Sequence, residues 1–418
     1  MKRKILLFVF AGLLVALNGE AQDFWETIEK PISNSIYSFA IKDTSLIFVG
    51  FGDDIGTYLY KSEEQIWQHI GLNNYSVYGL LVAENGDVFA GTSGFINIHR
   101  LHNLEEGWEP LASFSSNIYN LGINTHSDIF CGGGYGDGLY KSINNGNDWQ
   151  LVMSFGDGEK ANSMLFVTDT LGFIGTIDFQ GIAGGVYRSI DNGDSWFHTG
   201  LQYEFISSLA INSEGVIFAG SRGNQNVGGG GVFKSEDNGN TWTELTDAIW
   251  VTSMVIDTND VIYVGAEINS GQGGVFRSED NGLTWEYIIS GMGQYPSVEG
   301  MFLSPDGYLY AYDTKLYRSA DPIYTSVDDD KTVAKTSSIN LYPNPVTDQL
   351  SGKLTGKGNC NERYRLSILS MSSQVVMEDE ISVVSGMFTI PVTFLPAGVY
   401  VLKLTGNTEM FQARFIKL

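Results

Sequence analysis

ISSLAINSEGVIFAGSRGNQNVGGGGVFKSEDNGNTWTEL (206–245) divides into four strand-like runs: ISSLAINS, VIFAG, GVFKSED and TWTEL. β-Branched and aromatic residues dominate the runs, and Asn, Asp and Gly dominate the connections, as tight turns require. No helical periodicity runs through it, so the unit reads as four short strands. Working outward, the same arrangement recurs. Trp25, Trp67, Trp108, Trp149, Trp196, Trp242 and Trp285 stand 42, 41, 41, 47, 46 and 43 residues apart. IFVG (47–50), VFAG (88–91), IFCG (129–132), GFIG (172–175), IFAG (217–220), IYVG (262–265) and LYAY (309–312) form a second column. Lys61, Arg100, Lys141, Arg188, Lys234, Arg277 and Arg318 form a third.

A period of about 40–45 residues with four strands per period predicts the blades of a β-propeller. The seventh unit stops after three strands, VEGMFLS, YLYAY and KLYRS, while DFWETI (23–28) is a tryptophan strand with no blade before it. Set as the fourth strand of the last blade, it closes the ring and hides two sheet edges. The expectation is an all-β chain: a seven-bladed β-propeller closed by an N-terminal strand.

Between third and fourth strands lies SIDNGDSW (189–196), SEDNGNTW (235–242) and SEDNGLTW (278–285), with SINNGNDW (142–149) carrying Asn144 in place of Asp. These resemble the Asp-box (BNR-type) repeats of sialidases, sortilin-type receptors and xyloglucan-cleaving hydrolases. The other units depart: 101–108 reads LHNLEEGW, 62–67 reads SEEQIW, and 319–321 keeps only SAD. The resemblance implies that Asp191, Asp237 and Asp280 are turn formers set away from the ligand face, so they are excluded as catalytic groups.

The ends carry different signals. Lys2, Arg3 and Lys4, the apolar run at 5–17, and Gly19 and Ala21 read as a signal peptide over 1–21, cleaved before Gln22. Residues 22–324 form the expected propeller, and the polar stretch 325–338 reads as a linker. INLYPNPVTDQL (339–350), LPAGVYVLKL (395–404) and FIKL (415–418) resemble the type A C-terminal sorting domain of the type IX secretion system of Bacteroidetes. Strand-like runs between them predict a small Ig-like β-sandwich over 339–418. The resemblance implies passage through the periplasm and across the outer membrane, with the type IX machinery as partner, and either release or surface attachment.

Asp and Glu number 48 against 24 Lys and Arg, a net charge of −24 that repels nucleic acid. No later segment is long enough for a transmembrane helix. The two cysteines, Cys131 and Cys360, fall in different expected domains and read as buried thiols rather than a disulfide. Four of the five propeller arginines lie in the repeated basic column, spread around the ring, which argues against a sialidase site; only Arg222 stands apart. A hydrolase needs two carboxylates across a cleft, and Asp53, Asp54, Asp137, Asp157 and Asp178 are loop acids without known separation. The five histidines lack ligand spacing, so neither metal nor cofactor is expected. The face opposite the Asp boxes carries Tyr75, Phe155, Phe179, Tyr203, Phe205, Trp250 and Tyr295. Of these, Tyr75, Tyr203, Trp250 and Tyr295, with Asp178, are the candidate ligand contacts. The expected function is a secreted or surface propeller binding a glycan or protein; the alternative is a xyloglucanase-like glycoside hydrolase acting on extracellular polysaccharide.

Overall fold

A computed structural model describes residues 23–418 except 135, 179, 181–182, 224–228, 248, 270–271, 295, 324–337, 343–345, 347, 356–361, 371–374, 385, 397, 407–409 and 418. The proposed signal peptide, nearly all of the linker, Cys360, Phe179 and Tyr295 lie outside these residues. Every regular element among the described residues is a strand. No described helix is long and apolar enough to cross a membrane. The chain divides into two compact units, Met1–Ser326 and Val327–Leu418.

In the first unit, seven four-stranded antiparallel sheets follow one another. Their innermost strands are Ile36–Ile41, Val77–Val82, Ile118–Ile123, Glu159–Phe166, Ile206–Ile211, Trp250–Ile256 and Gly300–Leu303. Each inner strand touches the next, and the seventh returns to the first. Six sheets are built from consecutive strands. In the seventh, Trp25–Ile28 pairs with Leu316–Ser319 in the register Trp25↔Ser319 to Ile28↔Leu316. Trp25 is buried there, and its indole N–H donates to the Ile288 carbonyl at 2.7 Å.

The core lies between the sheets. Second strands such as Val88–Thr92 and Ile217–Ser221 are buried along their whole length, which is why they read as continuous apolar runs rather than alternating ones. Phe48 and Leu59 of the first sheet pack on Val77, Leu80 and Val88 of the second. Ile36 and Phe51 of the first pack on Tyr310 and Leu316 of the seventh. The glycine ending the repeated second strand admits this packing. A Cβ on Gly220 would stand 2.3 Å from Val251 of the next sheet, and one on Gly91 would stand 2.7 Å from Ile118. Only the seventh sheet replaces this glycine, with Tyr312. The exchange is reciprocal, because Gly300 beside it leaves the room the Tyr312 ring fills.

The box turns share one geometry. The Asp191 carboxylate accepts from the Ser189 hydroxyl at 2.8 Å and the Ser195 N–H at 2.9 Å. Asp237 and Asp280 repeat this with Thr241 and Thr284. Asn192, Asn238 and Asn281 take positive φ of 64°, 57° and 57°, so the left-handed position is shared by Asn and the Gly after it. The box tryptophans stand just before their fourth strands rather than inside them. Trp149, Trp196 and Trp285 turn back to donate to the Gly146, Gly193 and Gly282 carbonyls. The basic column straps neighbours together: Arg100, Lys141 and Arg188 donate to the Asn145, Asn192 and Asn238 carbonyls in the next sheet's box.

The second unit holds a three-stranded sheet (Ser338–Tyr342, Gln349–Thr355, Met387–Pro391) and a four-stranded one (Glu362–Ser370, Val375–Val383, Gly398–Thr405, Met410–Lys417). Leu350 and Ile390 of the first share a core with Leu366, Ile368 and Leu402 of the second.

Candidate functional site

Near its start, each of the first six inner strands slips by one residue against its neighbour: between Ile36 and Ser38, Val77 and Gly79, Ile118 and Asn120, Ala161 and Ser163, Ile206 and Ser208, and Val251 and Ser253. A β-bulge frees its extra residue from the alternation of faces. Those residues are Tyr37, Tyr78, Tyr119, Asn162, Ser207 and Thr252. With Glu299, which precedes the seventh inner strand, they line one cavity of about 690 Å³. They stand at the strand ends where sheet-to-sheet connections emerge, so the hairpins carrying Asp191, Asp237 and Asp280 are at the opposite end.

The lining is asymmetric. On one arc the Tyr37 and Tyr78 rings stack, centroids 5.5 Å apart and planes 10° apart. Tyr119 continues the row at 4.7 Å from Tyr78, and the Lys160 ammonium lies 4.1 Å from the Tyr119 ring centroid. Tyr37 rests on Gly52 and Tyr119 on Gly134, where a Cβ would come within 2.4 and 2.5 Å of the rings. On the other arc, short polar side chains bridge to the next inner strand. Asn162 donates to the Ser207 carbonyl at 3.2 Å, Ser207 to the Val251 carbonyl at 2.5 Å, and Thr252 to the Val298 carbonyl at 2.5 Å. On the tyrosine arc, Ser38 and Asn120 do the same to Val77 and Asn162. Deeper in, Phe39 lies 4.3 Å from Phe302, and Leu121, Met164 and Met301 complete an apolar floor.

Three charged groups, Lys160, Arg222 and Glu299, line this cavity, and Glu267 pairs with Arg222. Arg222, on the wall, donates through Nε to the Glu267 carboxylate at 2.8 Å and through Nη2 to the same oxygen. Burial, reinforced by the Arg222 charge, holds the Lys160 ammonium down to about 8. Burial raises the Glu299 carboxyl, and Arg222 opposes that rise. Burial also lifts the phenol of Tyr78, with a further push from Tyr119.

The sequence-based candidates fall elsewhere. Asp178 is buried, and its carboxylate accepts from the Gln180 and Ala183 N–H groups at 2.9 and 2.7 Å. Phe155 and Phe205 are buried. Tyr75 is half-buried, edge-on to His99 at 4.9 Å. Trp250 is half-buried against Gly230. Tyr203 is 46% exposed, at the cavity's end of the sheets. None of these lines the cavity. Cys131 is fully buried, which raises its thiol well above the usual value. Among the described residues no group of three or more His, Cys, Asp or Glu is placed to hold a metal ion. The tyrosine row, Lys160 and Glu299 were missed. Their one sequence signal is that Tyr37, Tyr78 and Tyr119 recur 41 residues apart.

Residues 340–418 match the family described as the secretion system C-terminal sorting domain. The tail marks an exported chain handled by the type IX secretion machinery. The sequence matches no curated protein. Solved structures resemble the first unit. YCF48 bound to a D1 peptide aligns at 13% identity and TM-score 0.56, covering 72% of this chain and 98% of that one. Virginiamycin B lyase from Staphylococcus aureus, as an inactive variant with quinupristin, aligns at 11% identity and TM-score 0.54, covering 70% and 98%. The WD40 β-propeller domain of Doa1 aligns at 11% identity and TM-score 0.52, covering 71% and 97%. At such identities the likeness carries the fold alone: the four-stranded sheets are those of a β-propeller.

Proposed function

We propose that this chain is an exported, seven-bladed Asp-box β-propeller that binds a glycan at the mouth of its central channel. In this reading residues 1–21 are the signal peptide and 22–324 the propeller. Residues 325–338 are a linker, and 339–418 an Ig-like sorting domain that delivers the protein through the periplasm to the outer-membrane surface or the medium. The ring of inner strands and the repeated box turns support the propeller subtype.

The tyrosine row carries the ligand assignment. Tyrosine faces stack against the C–H faces of sugar rings while their hydroxyls stay available for hydrogen bonds, and a cavity of this size suits a di- or trisaccharide. The inner-strand edges on both arcs disfavour an extended peptide. Adding a strand requires free backbone edges, and here Ser38, Asn120, Asn162, Ser207 and Thr252 already occupy inner-strand carbonyls. Tyr203, exposed at the same end, extends the contact surface.

Glycan-array screening of the full chain, followed by titration of the best oligosaccharide, tests the reading. Tyr78→Ala is expected to weaken binding about tenfold through lost stacking. Undiminished affinity in a correctly folded Tyr78→Ala protein overturns the site.

A further inference from the structure

Lys160 and Arg222 reach the same cavity from different sheets: Lys160 from the fourth inner strand, Arg222 from the segment following Ile217–Ser221 in the fifth. Both are half-buried, where charge–charge effects are stronger than in bulk water. Two cations in one cavity make each other harder to keep charged. Burial, and after it the Arg222 charge, push the Lys160 ammonium downward. Arg222 spends Nε and Nη2 on Glu267, while its Nη1 makes no hydrogen bond to a described residue. The Lys160 ammonium lies over Tyr119, the last ring of the tyrosine row. A sugar stacked along that row therefore brings its ring substituents toward both cations.

We propose that the channel mouth selects a sugar carrying a carboxylate, a hexuronate residue, with the carboxylate bridging Lys160 Nζ and Arg222 while the ring lies against the tyrosine row. A carboxylate placed between the two cations relieves their repulsion and makes charge-assisted hydrogen bonds. Glu299, which lines the cavity, restricts where it fits: it repels a carboxylate on its own side and accepts hydrogen bonds from sugar hydroxyls. The pair of signs thus fixes the orientation of the sugar. The inference rests on the glycan reading above and adds the charge of the ligand to it.

Isothermal titration of the full chain with trimers of galacturonate, glucuronate, mannuronate and guluronate, each beside its methyl ester, tests it. The ester keeps the ring and removes the charge. At least one acid is expected to bind about tenfold or more tightly than its ester. Lys160→Met and Arg222→Met should each abolish that preference, and Lys160→Arg should restore much of it, which separates charge from packing. Thermal melts identify any variant that fails to fold. Equal binding of every acid and ester, or tight binding of neutral cellotriose alone, overturns the carboxylate and leaves the glycan reading standing. Failure of all the sugars, with an acidic peptide bound in a Tyr78-dependent way, overturns both.

Discussion

Asp237 and Asn144 occupy the same place in two box turns and solve it in complementary ways. The Asp237 carboxylate accepts from the Thr241 N–H and hydroxyl. Asn144 accepts from the Asp148 N–H and returns a bond from its own amide to the Asp148 carboxylate. Donor and acceptor have changed sides together, so the turn needs the hydrogen bonds and not the charge. The hydrogen bonds from Thr241, side chain first, hold the Asp237 carboxyl at about 2, and Thr284 likewise lowers Asp280. A carboxyl that titrates lower in the folded state stabilises above its unfolded pKa, about 4, and loses that contribution as pH falls toward 2. Thermal melts from pH 5 to pH 2 are therefore expected to show a steeper loss for the natural chain than for Asp237→Asn. At pH 7 the Asn variant should melt close to the natural chain, whereas Asp237→Ala should melt lower. An Asn variant with unchanged acid sensitivity would remove the carboxylate from this account.

Between one sheet and the next, the decisive element is the glycine that ends the second strand. Gly220→Ala sets a methyl group 2.3 Å from Val251 Cγ1, inside a wall where Val251 is fully buried. Overpacking of this kind costs about 1–3 kcal/mol, and urea unfolding should show a loss in that range. A change below about 0.5 kcal/mol would mean that the sheets slide apart easily at this contact. The sheets themselves were legible from the sequence, since a period set by Trp, Gly and a basic residue reports three separate contacts: the box, the glycine seat and the strap to the next sheet. The site was not. Reading strands by alternation assigns each residue to one of two faces, and a bulge residue belongs to neither. Tyr37, Tyr78 and Tyr119 sit at such bulges, so strand alternation gives no sign that they share one cavity. Arg222 stood out only because it fell outside the repeat.

Over the whole molecule, 48 acidic residues face 24 basic ones, so a uronate trimer approaches a surface that repels it. The attractive cations lie inside a cavity, close to where the ligand ends its path, and salt weakens such short, partly buried interactions much less than long-range ones. The two ranges of electrostatics should separate in the kinetics. As ionic strength rises from roughly 0.01 M, where the Debye length is about 30 Å, to roughly 0.15 M, where it is about 8 Å, long-range repulsion fades and association is expected to speed up several-fold. Dissociation, governed by contacts in the cavity, should change less. Basic proteins that attract anions over long distances behave in the opposite way, slowing as salt is added. Stopped-flow mixing with a fluorescent uronate trimer distinguishes the two. An association rate that falls with salt would place the ligand on an exposed positive patch instead of the channel, because only there would screening remove an attraction felt before contact.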